Sequence, residues 1–531
     1  MGGKNDLLEQ EWWVMHFNQH TRYKEVSVMM TELIVAAKKS AIYAMVDELV
    51  GGLNQALAEG RPLHEIERDV LSQVLSIGRE AIGGVLEAVG DGDLGEQVEL
   101  PEGRTLKRSE EPRTREYLSV FGGFTITRYV YFQRKGQAAE LIPVDARLAL
   151  PESKFSYLLQ DFDQHLSMEE PFAQVLATIE RILDLPQHVD SLERTNQKLA
   201  AHVDSFHTAQ QPPPAEEEGE ILVETADGKG IPIRRPADAP RIEDHQAKSG
   251  PKPDRKKVAT LASVYSVDRY PRTAEQIIES LFRKPHEPRP EMEPRPKPRY
   301  KQVRGSLNFT QNDGESISGR AAMFGWMADT VAARNSVGKP LVCIMDGELA
   351  LWQAIDIFQD AGERIEILDL LHVTPRLWKA ADVFCSGKQE ATEFVRRRLR
   401  KILQGKLDGV VRGLRQMGTS RLRGKARGTV ETICRYFEKN ASRMRYDVYL
   451  AEGYPIASGV IEGACRHVVK DRMERSGMNW TIPGAQAMLS LRSIHASGQW
   501  DEFIDSYTAA ETKRLHPHRG LLDQLPTHTA A

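Results

Sequence analysis

Cysteine is scarce in this chain. There are four in 531 residues, Cys343, Cys385, Cys434 and Cys465, separated by 42, 49 and 31 residues with no CxxC pair. The short paired spacings that let zinc ligands converge are therefore missing. Reduced, mostly buried thiols of a cytoplasmic protein are expected instead. Long apolar runs are missing too. No stretch approaches the ~18 apolar residues of a membrane helix, so no membrane partner is expected. The opening MGGKNDLLEQEWW lacks the apolar run that comes after the basic start of a secretory signal. Gly (40) and Pro (28) are not in excess, which excludes a collagen-like or wholly disordered chain. A dominant charge sign is the last absence. Lys plus Arg is 71 and Asp plus Glu is 75, a net of −4, which on its face argues against a nucleic-acid partner. The length suggests about three or four domains.

That near-neutral total is an average over opposed regions. Residues 1–102 hold 8 Lys/Arg and 18 Asp/Glu, a net of −10. Apolar residues recur there at three- and four-residue steps, as in TELIVAAKKSAIYAMVDELV, so the region reads as helical. A self-associating helical pack suits it better than a DNA surface. The period changes to two in REYLSVFGGFTITRYVYF, where alternating runs flank Gly122-Gly123, and a small β-element is expected within 103–155. Residues 156–207 read as helical again. PFAQVLATIERIL, the break DLPQHV and DSLERTNQKLAAHV give helix, short turn, helix. This is the outline of a helix-turn-helix, shared by any helical hairpin. Asp190 is positioned to cap the second helix, and Arg194, Asn196, Gln197 and Lys198 are its candidates for reaching DNA. A Pro- and Glu-rich linker spans 208–220.

Beyond the linker, short apolar runs lead into acids. Ile221–Val223 precedes Asp227-Gly228, and a second strand is expected over 256–268. The run KPLVCIMDGELALWQAIDIFQDAGERIEILDLLHV parses as strand 340–345, helix 348–359 and strand 364–371, a βαβ unit with its strands parallel. Asp346 sits at the carboxyl end of the first of these strands, where sites form in open α/β sheets. Further on, Glu462, Arg466 and Lys470 are spaced four apart and would share a helix face. A carboxylate backed by two cations suits a phosphate backbone near a metal. Separated carboxylates are what two-metal phosphodiester chemistry collects, because it needs hard oxygen ligands for two divalent ions. Taken singly, Asp227-Gly228 and Asp346-Gly347 are also ordinary turn dipeptides, and Glu462 an ordinary solvated helix residue.

The segment from 374 to 450 is rich in helix formers. Within it residues 391–430 hold 12 Lys/Arg and 2 acids, a net of +10. Arg396, Arg397, Arg398, Arg400, Arg421, Arg423, Lys425 and Arg427 are its DNA-contact candidates, since each neutralised phosphate adds to affinity. A solvated charged face is the alternative. RKPHEPRPEMEPRPKPRYKQVR, residues 283–304, reads as an extended basic loop, because proline opposes both helix and sheet.

Residues 453–480, GYPIASGVIEGACRHVVKDRMERSGMNW, closely resemble the C-terminal signature of the Kra-type bacterial insertion-sequence transposases. ADGKGIPI at 226–233, MDGE at 345–348 and LDLLHVTPRLWKAA at 368–381 resemble that family in the same order. The resemblance extends from about residue 100 to 519. It implies a DDE transposase of α/β class: an RNase H-like catalytic core (221–373 and 451–510) carrying an all-α basic insertion (374–450), with a tail over 511–531. A helical N-terminal region, the small β-element and the helix-turn-helix-like segment precede the core. It implies Asp227, Asp346 and Glu462 as catalytic acids and ligands of two Mg2+ (or Mn2+) ions. Asp369 and His372 match the C/DxxH motif located after the second acid, either binding flanking DNA or orienting the site, or else forming a buried pair that holds the strand to the insertion. Arg466 and Lys470 would position phosphates. The implied partners are double-stranded DNA, both transposon ends and target, and further copies of the chain in a homo-oligomer. The implied location is the cytoplasm of a bacterium, in association with the nucleoid. A transposase-derived DNA-binding regulator and a stand-alone RNase H-like nuclease are the alternatives.

Overall fold

The computed structural model describes residues 38–134, 136–234, 256–283, 294–310, 316–360, 362, 364–475 and 477–522. The first 37 residues of the acidic region, the polar loop 235–255, residues 284–293 of the Pro-rich stretch and the tail from 523 lie outside the described residues. The chain forms two compact units. One comprises the residues up to Thr195 with those from Ile504 onward, the other Asn196–Phe503. Among the described residues, no helix is long and apolar enough to cross a membrane.

The first unit is helical over 38–58 and Leu63–Val89, as the three- and four-residue periodicity predicts. Its β-element is a hairpin, Arg113–Ser119 against Gly122–Arg128, beside a small antiparallel sheet of Gln97–Glu99, Thr105–Arg108 and Tyr131–Phe132. The hairpin loop is Val120-Phe121 rather than Gly122-Gly123, because Ser119 pairs with Gly122. Gly122 opens the second strand at φ +121°, a value open to glycine. The helical pair comes next as Phe172–Leu183 and Val189–Ala200. Asp184 ends the first helix in the left-handed conformation. Asp190 lies inside the first turn of the second helix, not at its cap. The division between the units falls within this helix, after Thr195.

The second unit is built on one sheet. Its strands are β1 (Ile221–Pro232), β2 (Lys256–Val267), β3 (Arg299–Ser306), β4 (Leu341–Met345) and β5 (Ile365–Leu368). They are ordered β5-β4-β1-β2-β3. β1, β2 and β3 form an antiparallel meander, whereas β4 and β5 run parallel to β1. Its helices include α1 (Ala274–Phe282), α2 (Gly319–Arg334), α3 (Leu349–Ile355), α4 (Leu370–Phe384), α5 (Lys388–Leu403), α6 (Leu407–Arg421), α7 (Gly424–Lys439), α8 (Tyr446–Ala451), α9 (Gly459–Ala464) and α10 (Ile482–Ser497). A π-helical turn, Cys465–Lys470, continues α9.

Both faces of the sheet are covered, which is why its central strand β4, LVCIM, reads as an unbroken apolar run. Successive side chains point to opposite faces. Val223, Tyr265, Val342, Ile344 and Ile367 face a core shared with α4 to α8. Leu222, Ala262, Val264, Cys343 and Met345 face a second core with α2 and α3, centred on Phe324, Met327 and Trp352. The helix-rich segment 374–450 is therefore packed against the sheet and does not project from it.

The structure corrects further expectations in this unit. β1 does not end in a turn at Asp227-Gly228 but runs on to Pro232, because β2 pairs with it along its whole length. The end of the Pro-rich stretch is not loop: Arg299–Ser306 is the outer strand β3. This edge strand is covered by α10, whose Gln486 and Ser497 side chains bond the backbone of Gly305, Leu307 and Val303. Covering an edge in this way keeps its unpaired backbone groups from foreign strands.

Candidate functional site

The register of the two central parallel strands brings the first two acids together. Pairing runs from Leu222 opposite Leu341 to Thr225 opposite Ile344. Two residues further along each strand lie Asp227 and Asp346. By the period of two, both belong to the face that buries Val223 and Ile344. Gly228 N–H donates to Asp227 Oδ1 at 2.7 Å. Glu348 N–H donates to Asp346 Oδ1 at 2.7 Å, and Trp352 Nε1 donates to the Asp346 carbonyl at 2.7 Å. The buried Trp352 ring thus anchors the backbone of the second acid.

Glu462 is exposed on α9, and two contacts set that helix against the sheet. The Cys465 thiol donates to Asp227 Oδ2 at 3.4 Å. Burial pushes this thiol up, with the neighbouring Asp227 charge adding to it, so the sulfur stays a protonated donor. The second contact is through Ser458, which precedes α9. Its N–H donates to Asp369 Oδ1 at 3.2 Å and its hydroxyl donates to Asp369 Oδ2.

Asp369 is fully buried. Besides Ser458, its carboxylate accepts from Leu371 N–H at 2.9 Å, capping α4, and lies 3.1 Å from His372 Nδ1. Those four partners occupy the four lone-pair sites of a carboxylate. The hydrogen bond to Asp369 holds His372 above the usual imidazole range, opposed by burial and reinforced by the charges of Asp346 and Asp227. His372 therefore faces the same region as the first two acids, and its Nε2 is the ring nitrogen turned away from Asp369.

Among the described residues, the trio whose ligand atoms lie within 4.8 Å of one another is Asp369, His372 and Glu462. The expected trio of Asp227, Asp346 and Glu462 does not meet that distance. Asp346 Oδ2 and the Glu462 carboxylate accept no hydrogen bond from a described residue. The inward-facing donors are thus carboxylate oxygens with one imidazole, a hard set that suits Mg2+ or Mn2+ better than a thiophilic ion.

The insertion reaches the site through Tyr436 on α7. Its ring lies so close to Gly347 that a Cβ there would collide with it. The Arg376 guanidinium lies over the same ring at 3.4 Å and donates to the His372 carbonyl at 2.6 Å.

The cationic candidates divide. Arg466 and Lys470 are exposed, but the π-turn between them breaks the four-residue face that would group them with Glu462. Arg466 lies 3.5 Å from Asp471. Arg398 is corrected outright. It is 8% exposed, stacks on Phe394 at 3.3 Å and donates to Met417 Sδ. Burial lowers its pKa to about 10. Arg396 is half-buried, and Arg400 pairs with Glu275 at 3.0 Å. Arg397, Arg421, Arg423, Lys425 and Arg427 are exposed. In the helical pair Arg194 is exposed, Gln197 exposed and Lys198 half-buried, whereas Asn196 is buried and withdrawn from any DNA surface.

Sequence reasoning misses Ser458, Cys465, Tyr436 and Arg376. Ser458, Cys465 and Tyr436 carry no local signal because their partners are distant in sequence, whereas Arg376 lies one helical turn from His372, a spacing a local pattern can show.

No family model matches this chain, and no curated protein matches it. Among solved structures it is similar to a chain of the Drosophila P element transposase strand transfer complex, at 9% identity and a TM-score of 0.24 over 70% of this chain and 88% of that one. Likeness at this level does not bear on function.

Proposed function

We propose that this protein is a DNA transposase of the DDE type, acting on phosphodiester bonds through divalent metal held by Asp227, Asp346 and Glu462. The observation that carries the reading is the register of β1 and β4, which sets Asp227 and Asp346 side by side with the Glu462 helix tied to Asp227 through Cys465. The sheet order supports an RNase H-like core: an antiparallel three-strand meander with two further strands parallel to its first. The resemblance of residues 453–480 to the Kra-type transposases supplies the biological role, binding of inverted-repeat ends by a homo-oligomer.

In this reading Asp227, Asp346 and Glu462 offer carboxylate oxygens, those of Asp227 also accepting from Gly228 N–H and the Cys465 thiol, and His372 Nε2 adds a fourth donor. Divalent ions bound there would activate the attacking oxygen and stabilise the leaving one. Asp369 is a positioning residue. One carboxylate fixes the His372 ring, caps α4 and holds Ser458 at the start of the Glu462 helix. A carboxylate orienting a ligand histidine is a recurrent way to set its tautomer and direction.

The test is a magnesium-dependent cleavage and strand-transfer assay on DNA carrying the element's ends. Asp346→Asn should abolish both steps and leave DNA binding nearly intact. Full activity in that variant would overturn the assignment. Cleavage without joining would point to a stand-alone nuclease, and binding without cleavage to a DNA-binding regulator.

A further inference from the structure

Beside the segment that carries Ser458 lies a cavity of about 410 Å³. Its walls come from the end of β2, residues 295–298 and residues 453–460. Three cations line it, Arg272, Arg295 and Lys297. Among the described residues none of the three forms an ion pair with a carboxylate. The one acid in the lining, Asp268, is already paired with Arg299 at 2.6 Å. Arg272 is held by neutral groups: it donates to the Tyr270 carbonyl at 3.1 Å and the Tyr454 carbonyl at 2.7 Å, and lies over the Tyr270 ring at 5.5 Å. Burial lowers Arg272 to about 10, and the charge of Arg295 adds to that. Two guanidinium groups thus share a pocket whose one lining carboxylate is already paired with a residue outside the lining.

We propose that this cavity holds one nucleotide of a single DNA strand, its phosphate among Arg272, Arg295 and Lys297 and its base against Tyr270 and the neighbouring prolines. The size fits one nucleotide unit and excludes a duplex, and volumes of this order are those of small-ligand sites. Cations beside an aromatic face are the means by which proteins hold single strands without reading sequence. Gly459 and Val460 belong both to the cavity wall and to the first turn of the Glu462 helix, so an occupied cavity braces that helix. The choice of DNA as the source of the nucleotide rests on the transposase reading.

The test uses the full chain with EDTA, so that it needs neither metal nor turnover. Binding of a fluorescent oligothymidine is measured by anisotropy across a salt series, for the parent and for the R295A/K297A double variant. Both side chains are exposed, so the fold is retained. The variant should bind the single strand about tenfold more weakly, and its log–log salt slope should fall by ~0.7, for the one phosphate no longer neutralised. Affinity for a blunt duplex should change less than about twofold. Oligomers with and without a 5′-phosphate separate a terminal phosphate from an internal phosphodiester, and a loss with either upholds the site. Unchanged single-strand affinity, or an equal loss on the duplex, would overturn it. Because catalysis is not read, an active Asp346→Asn enzyme would sink the transposase site and leave this result standing.

Discussion

Asp369 and Asp346 lie close together and are asked to do different things, and replacing Asp369 tests that division. Asp369→Ala deprives Leu371 N–H, Ser458 N–H and Ser458 Oγ–H of their acceptor inside the protein. Each buried donor left without a partner costs ~1–3 kcal/mol. Partial relaxation and retained helix bonds reduce the sum, so a total of about 3–5 kcal/mol is expected. Asp369→Asn keeps one acceptor oxygen for the two backbone donors and loses the charge facing Ser458 Oγ and His372 Nδ1. Charge-assisted bonds are roughly twice as strong as neutral ones, so about 1–2 kcal/mol should be lost. Urea unfolding in EDTA, monitored by tryptophan fluorescence, measures both. The pH dependence has a definite sign. His372 is raised in the folded state, so its contribution is fully present below the unfolded value of ~6.5 and is lost as pH rises through the folded value. The gap between parent and Asp369→Asn should therefore be wider near about pH 6 than near about pH 9. A loss below about 1 kcal/mol in Asp369→Ala would refute the clamp, because four real hydrogen bonds cannot be removed at so small a cost. A gap that widens with pH would refute the Asp369–His372 coupling.

Glu224, buried on β1 three residues before Asp227, has one oxygen bonded by Gln359 at 2.8 Å and the other without a partner. Burial pushes its carboxyl up to about 7. Folded-state proton uptake then makes stability fall as pH rises from ~4.5 to ~7, by about 3 kcal/mol in all. Glu224→Gln should remove that slope and be the more stable protein near about pH 8, and a parent whose urea midpoint is flat over this range would contradict it. Neutralising Arg397, Arg421, Arg423, Lys425 and Arg427 together should weaken duplex binding and flatten its salt slope by ~0.9 for each phosphate released. An unchanged slope would leave these side chains as a solvated face. Arg398→Ala should instead leave the salt slope alone and cost roughly 1–3 kcal/mol of stability through weaker packing on Phe394 and Met417. Chemical denaturation beside a binding titration separates the two effects.

Periodicity and apolar runs encode the legible part of the fold. β4 and all but the start of β2 are buried and stand out as apolar stretches, and the helices between β5 and α9 are evident from their composition. β1 reads as too short because Asp-Gly is a turn dipeptide in isolation. Twelve paired residues of β2 override that preference. β3 reads as loop because its neighbours are prolines and its residues are basic, yet α10 covers it with side chains no local window contains. Asp227, Asp346 and Glu462 are singled out through the resemblance, and Asp346 also by its place at the carboxyl end of β4. Their supports are not, since Ser458 lies 89 residues from Asp369 and Cys465 lies 238 from Asp227. The grouping of Glu462 with Arg466 and Lys470 fails for a different reason. It assumes an α-helix throughout, and a π-turn adds a residue and rotates the rest of the helix.

The basic insertion gains meaning from how it is attached. A charged helical segment tethered only at its ends would bind DNA without informing the site. Here the Tyr446 hydroxyl donates to the Leu368 carbonyl at 2.6 Å and that of Tyr449 to the Glu366 carbonyl at 3.0 Å, fixing α8 to the last strand. Arg443 bonds Glu366 at 2.6 Å and lies over the Trp352 ring at 4.1 Å. The same Trp352 holds the Asp346 carbonyl, and Tyr436 from the neighbouring helix lies against Gly347. The second acid is therefore gripped between the sheet core and the insertion. Close-packed interiors transmit displacement instead of absorbing it. The net charge of −4 for the whole chain conceals that the basic segment and Asp346 belong to one packed unit.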